Sequence, residues 1–206
     1  YEYLKSDASP ICWEDVLRIS HAGFIIDRSE YLREIKKINR RLQSEARKEK
    51  GETKGPRLMI YGSMMATGDK KVRDIIRQAG GNIVVDALCS GFRFWRRDVT
   101  AGLWGLDPIK ALAERYLYNI PCPYMTDPTV RLNHVTSVAR EYRVKGLIYY
   151  NLKYCQTFRS ELEFFKDALK KELNIPTLFI ETEYSPSDIG TIRTRVEAFL
   201  EMIRGA

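Results

Sequence analysis

The sequence lacks any apolar run of about 18 residues, the length a membrane-crossing helix needs, which argues against a transmembrane segment. It has only two histidines, His21 and His134, and no Cys-x-x-Cys pair, so the local motifs of a zinc site are missing. Neither a Walker A motif nor a GxGxxG fingerprint is present. The opening, YEYLKSDASP, has the character of neither a signal peptide nor an Arg-rich presequence. It also begins abruptly and without Met, so the expectation is a fragment or a trimmed chain. Cysteine is sparse: Cys12, Cys89, Cys122 and Cys155. With 206 residues, 44% of them hydrophobic, the chain can build a core without a disulfide framework, and free thiols in a reducing cytoplasm are expected.

What is abundant is positive charge, +7 overall. Most of it is local. Arg28 to Lys50 holds nine Lys/Arg against four Glu, which is +5 and leaves +2 elsewhere. Tyr31, Ile35, Ile38, Leu42 and Ala46 recur there at helical spacing, so the segment reads as one amphipathic helix with a solvated basic face. This concentration argues against a nucleic-acid partner.

The polar stretch KEKGETKGP, Lys48 to Pro56, reads as a linker. It divides an N-terminal helical region, 1–50, from a second region, 51–206. Two helices are expected before it, over Ile11–Ile26 and Ser29–Lys50. After it, strands and helices alternate. The strand candidates are Arg57–Tyr61, Asn82–Asp86, Leu147–Tyr150 and Thr177–Ile180, each short and apolar. Helices are expected over Asp69–Ala79, Asp107–Tyr118 and Thr129–Arg143. Another is expected to start at a capping box, Ser160-Glu161-Leu162-Glu163, and a last one to carry Ile189, Ile192, Val196, Phe199 and Ile203. Such alternation implies an α/β fold, doubly wound and flavodoxin-like, with a four-stranded parallel sheet and extra N-terminal helices.

In such a sheet ligands bind beyond the carboxyl ends of the strands. Four loops open there: GSMMATGD, DALCSGFRFW, NLKYCQTF and ETEYSP. They should gather Cys89, Cys155, Arg93, Lys153, Glu181, Glu183 and Tyr184 on one rim. Two thiols beyond two different strands are the informative feature. A free cysteine can simply pack as a small hydrophobe, but Lys153 and Arg93 nearby would favour the thiolate, the form that attacks or binds metal. An iron–sulfur cluster usually takes four ligands, so two thiols would be either part of a larger set or isolated reactive groups. GSMMATGD has the small residues of a phosphate-contacting loop, or it is an ordinary turn and helix cap. Cys12 is expected in the core on a helix. Cys122, fixed between Pro121 and Pro123, is expected to pack its thiol inward. Structural or surface roles are expected for His21 and His134.

Taken together, VVDALCSGFRFW, RYLYNIPCPYM, GLIYYNLKYCQTF and IETEYSPSDIGTIRTRVEAFLEMI resemble, in order and spacing, the C-terminal part of the 2-hydroxyacyl-CoA dehydratase family. Its superfamily includes the benzoyl-CoA reductase subunits. The resemblance implies a [4Fe-4S] cluster held by cysteine thiolates and a heterodimer of two related subunits. It also implies an ATP-dependent activator protein with its own iron–sulfur cluster and an acyl-CoA substrate. One low-potential electron would pass to the thioester, and a ketyl-type radical would then allow loss of a β-hydroxyl as water or reduction of an aromatic ring. By the same resemblance Cys155 is a cluster ligand and Cys89 a further one. Arg93, Lys153, Tyr154, Glu181 and Tyr184 are then residues that contact substrate or support the site. The pattern departs from the family at Gln156-Thr157, at Asp86-Ala87 and at Thr191. Family members carry an earlier domain with further cysteines, so this chain would correspond to the C-terminal α/β domain of one subunit. The rival reading is a flavodoxin-like module that binds a nucleotide or thioester without a cluster.

Overall fold

Four apolar runs form the sheet. They are β1 (Arg57–Gly62), β2 (Asn82–Ala87), β3 (Gly146–Leu152) and β4 (Thr177–Thr182). The computed structural model describes residues 1–46, 55–99, 107–124 and 127–205. All pairings are parallel and the order is β2-β1-β3-β4. This is the doubly wound, flavodoxin-like arrangement expected from the alternation. Parallel strands covered on both faces read as continuous hydrophobic runs, and every residue of β1 is buried.

The pleat sends alternate side chains to opposite faces. On one face Tyr61 of β1 stacks on Phe165 at 4.8 Å between centroids and meets Tyr149 of β3 edge-on at 5.1 Å. Phe165 belongs to α8 (Leu162–Leu173), which packs on α6 (Pro128–Glu141). On the other face Gly146 lies so close to α9 (Ile189–Arg204) that a Cβ there would stand 2.4 Å from Ile203 Cδ1 and 3.0 Å from Phe199 Cζ. That helix packs on α3 (Lys71–Gln78). Each large side chain buried in this way contributes about 1.5–3 kcal/mol relative to exposure.

The N-terminal helices are α1 (Trp13–Ala22) and α2 (Arg28–Ala46). Trp13, Val16 and Leu17 enter the same core as the strands. The basic residues of α2 stand in solvent, some of them paired within the helix, as Lys37 is to Glu34 at 2.8 Å. The expected linker falls largely outside the described residues. Short helices flank the sheet, among them α4 (Phe92–Trp95), α5 (Pro108–Ala113) and α7 (Gln156–Arg159).

Three local expectations are corrected. The helix expected over Asp107–Tyr118 is α-helical only through Ala113 and widens into a π-helical turn, Glu114–Tyr118. The capping box does not form. Glu161, not Ser160, is the N-cap of α8, and the Ser160 hydroxyl donates back to the Thr157 carbonyl at 3.1 Å. The competing demand is Arg131, only 2% exposed, which takes the Glu161 carboxylate as its ion-pair partner. A buried guanidinium left without that partner would cost far more than a cap contributes. Finally, Cys12 is not in the core. It is the exposed N-cap residue of α1, its thiol beside Asp15 at 3.4 Å and pushed up to about 11, first by burial. It sits by Asn82, where β2 begins, at the amino edge of the sheet.

Candidate functional site

Gly62 shapes the carboxyl edge. Its φ is +138°, and a Cβ there would lie 1.9 Å from the Tyr150 carbonyl oxygen. With only a hydrogen in that place, the chain turns directly over β3, and the Ser63 N–H donates to the same oxygen at 2.9 Å. From there a line of polar contacts crosses the strand ends. Ser63 meets Asn151 at 3.4 Å, and Asn151, fully buried, donates to Glu181 at 3.2 Å. Arg159 reaches the same Glu181 oxygen at 3.2 Å. Gly62, Cys89, Cys155 and Glu181 therefore all lie at one edge, as the parallel sheet requires.

The loop after β2 is organised by Asp86. Its carboxylate is fully buried and accepts from Tyr1 Oη at 2.8 Å, Trp13 Nε1 at 2.7 Å, and the N–H groups of Leu88 at 3.1 Å and Phe92 at 2.9 Å. Burial pushes its pKa up, and these donors oppose the rise. The last two contacts bracket Cys89, and Arg93 follows Phe92 directly. Arg93, 3% exposed, donates to Cys89 Sγ at 2.6 Å and to the Pro121 carbonyl at 3.4 Å, and stacks over Phe158.

The electrostatics of Cys89 tie three thiols together. Burial is the main cause that raises its pKa. Arg93 opposes this, and the neighbouring Cys122 and Cys155 add to it. Cys89 is exposed at its surface, and the direction is upward, with partial burial of the thiol the largest cause and the Arg93 guanidinium opposing it. Cys122 is partly exposed, and it adds to the upward direction at Cys89. Cys155 is partly exposed and opens α7.

The other predicted residues stand differently. The Lys153 ammonium pairs with Glu183 at 2.9 Å. Tyr184 is half-exposed, its hydroxyl 3.5 Å from the Met64 carbonyl. Tyr154 is 90% exposed and has φ +70°, at the centre of a turn closed by Cys155 N–H onto the Leu152 carbonyl at 3.0 Å. A non-glycine residue there carries strain of about 1–2 kcal/mol. Replacing Tyr154 by glycine is therefore expected not to destabilise the protein, and to stabilise it by up to about 1 kcal/mol. Urea unfolding checks this. A loss beyond about 1 kcal/mol would mean that Tyr154 makes stabilising contacts instead.

GSMMATGD is an ordinary cap with an apolar wall. Asp69 Oδ1 accepts from the Lys71 N–H at 3.1 Å, so the start of α3 is already served by a carboxylate. Lys71 itself ties this loop to the one after β4, donating to Thr182 at 2.6 Å, Asp188 at 2.6 Å and the Ser185 carbonyl at 2.7 Å. Met64, Met65 and Ala66 instead line a cleft of ≈ 510 Å³ together with Phe24, Ile25 and Phe94, opening beside Cys89. His21, expected to be structural, bridges the loops at the foot of this cleft. Its Nε2 is 2.8 Å from Ser90 Oγ and its Nδ1 3.2 Å from Thr67 Oγ1.

The thiols fit part of a cluster's donor set. Among the described residues no group of three or more His, Cys, Asp or Glu side chains is placed to hold a metal ion. No helix among them is long and apolar enough to cross a membrane.

The chain matches the family described as 2-hydroxyglutaryl-CoA dehydratase, D-component, over residues 1–203. It is 30% identical over 190 residues to the protein named "Putative dehydratase subunit YjiM" of Escherichia coli (strain K12). That alignment covers 92% of this chain and 49% of the relative, so the chain spans about half the length of the curated relative it matches. With a sheet and rim of this form and a match along nearly its whole length, the chain belongs to the 2-hydroxyglutaryl-CoA dehydratase D-component family.

Proposed function

We propose that this chain is the part of an iron–sulfur 2-hydroxyacyl-CoA dehydratase subunit that presents thiolate ligands and one wall of the substrate cleft. The observations that carry the reading are the placement of Cys89 and Cys155 just beyond the carboxyl ends of β2 and β3 on one edge of the parallel sheet, and the family match over residues 1–203. Cys155 and Cys89 would hold the [4Fe-4S] cluster, with ligands from outside this chain completing the set. When bound, the cluster would supply a single low-potential electron to a CoA thioester.

The chain's own residues have definable tasks. Arg93 fixes Cys89 through its sulfur and offsets negative charge at the thiols. Asp86 holds the backbone on both sides of that cysteine. Phe24, Ile25, Met64 and Phe94 offer an apolar wall that excludes water from the thiol side and accepts a hydrocarbon chain. Asn151 and Arg159 orient Glu181, leaving its carboxylate on the exposed rim for contact with substrate or partner. Lys153 and Tyr154 follow β3 and Tyr184 follows β4, on the same rim. The working assembly would pair this subunit with a related one and take electrons from an ATP-hydrolysing activator. Such an assembly would work in the cytoplasm, where ATP and a reducing environment are available.

The test combines the intact protein with its partner subunit, the activator, ATP, a strong reductant and a 2-hydroxyacyl-CoA, without oxygen. ATP-dependent formation of the 2-enoyl-CoA is expected. Reduction of benzoyl-CoA instead would assign the chain to the reductase branch. A second reading, a thioester- or nucleotide-binding module without a cluster, is favoured by the lack of a three-ligand group among the described residues. Thioester binding by an iron-free intact protein would establish it.

A further inference from the structure

A separate pocket of ≈ 500 Å³ lies between α4, the turn around Pro121 and the exposed face of α6. Arg93, Arg96, Arg97 and His134 line it, together with Asn119 and Asn133, and none of its described lining residues is acidic. The short α4 and the residue pair after it bring three guanidiniums to one place. Their partners neutralise little of this charge. Arg96 pairs with Glu141 at 3.2 Å, but Glu141 also serves Lys5 at 2.6 Å. Arg97 donates to the neutral Asn119 side chain at 2.7 Å. Arg93 is spent on the Pro121 carbonyl and the Cys89 sulfur.

His134 records the resulting field. Arg96 Nη1 lies 3.1 Å from its Nδ1, and an arginine can only donate, so the ring accepts there and carries its proton on Nε2. Burial, then Arg96, Arg93 and Arg97, push its pKa down to about 3. Among the described residues, neither His134 Nε2 nor Arg93 Nε has a hydrogen-bond partner. Both atoms are closed off from solvent, so the pocket's pull on an anion comes from the guanidinium charge around it, with no acidic side chain among its described lining residues to offset it. Guanidinium forks match the paired oxygens of a phosphate. The pocket also falls within the roughly 300–1,000 Å³ of small-ligand sites, which is more room than a lone phosphate fills.

We propose that this pocket binds the phosphate or diphosphate group of a small-molecule ligand. Two sources share that chemistry: a free nucleoside diphosphate, or the diphosphate of a CoA carrier. Through Arg93, whose guanidinium holds Cys89, the occupant would sit one side chain from the thiols. The inference stands on the pocket alone and does not depend on a cluster.

The intact protein should be titrated with inorganic pyrophosphate, ADP and CoA, with calorimetry for binding and NMR for the His134 ring. Saturable binding at or below roughly 1 mM is expected. His134 should titrate at higher pH once an anion offsets the guanidiniums. Arg97→Gln and Arg96→Gln should each weaken binding about tenfold or more, while Lys37→Gln, an equal charge change on α2, should not. Equal binding of ADP and CoA identifies the diphosphate as the recognised group, and tighter CoA binding identifies the carrier as the source. No saturable binding of any probe, or binding unchanged in Arg97→Gln, overturns the proposal. Iron content, measured on the same samples, separates that failure from a failure of the cluster reading.

Discussion

Asp86→Ala is expected to lower stability by about 4 kcal/mol or more, because four buried donors lose one acceptor at a stroke. Tyr1 Oη, Trp13 Nε1 and the N–H groups of Leu88 and Phe92 would all be left in a site that water does not reach. Each orphaned donor costs about 1–3 kcal/mol before relaxation. For a chain of this size the loss should appear as a fall in Tm of roughly 10 °C or more. Asp86→Asn should recover only part of it, since its amide would turn a donor toward donors. The second consequence is chemical. The two backbone contacts bracket Cys89, so their loss should loosen the loop and speed Cys89 labelling by a thiol reagent. A variant that melts with the wild type would show that the carboxylate organises nothing.

Gly62→Ala is expected to be equally severe, for a steric reason. The added Cβ would stand 1.9 Å from the Tyr150 carbonyl oxygen and 2.8 Å from its carbon, both backbone atoms inside the β1–β3 ladder. Neither can yield without breaking a pairing between the two central strands, and at φ +138° an L-residue is strained in any case. We expect a loss above about 4 kcal/mol or failure to fold, read by urea unfolding or soluble yield. Gly68→Ala is the control. Its φ is also positive, at +91°, but nothing lies within 4 Å of its Cβ position. It should cost only about 1–2 kcal/mol. Equal behaviour of the two variants would remove the close approach as the cause.

The strands were legible because parallel strands covered on both faces must be apolar along their length. RLMIYG and GLIYYNL carry that signature with no help from distant residues. Their parallel arrangement by itself puts Cys89, Cys155 and Glu181 on one edge. Helix ends were less legible, since long-range demands reset them. Ser160 and Glu163 have the spacing of a capping box, but Glu161 is the N-cap residue of α8 and its carboxylate goes to buried Arg131, 30 residues earlier, rather than to the helix end.

The site was legible only where a residue follows its strand directly. Cys122 lies on no strand, and only the packing of the turn around Pro121 onto Arg93 brings it to the rim. His21 comes from an N-terminal helix, and its partners Thr67 and Ser90 lie 46 and 69 residues away, so no spacing could announce it. The thiol environment was less legible for the same reason. Sequence shows that Arg93 is near Cys89, but desolvation depends on everything folded around it, and here it is the largest cause.

Iron content of the anaerobically purified intact protein tests Cys155 as a cluster ligand most directly. Three samples should be compared: wild type, Cys155→Ser and Cys12→Ser. Cys12 lies at the opposite edge of the sheet, by the start of β2, so its replacement should leave iron and the broad visible absorbance of a [4Fe-4S] centre unchanged. Cys155→Ser should lose most of both while folding normally. A Cys155→Ser protein with wild-type iron and spectrum would contradict the ligand role of Cys155.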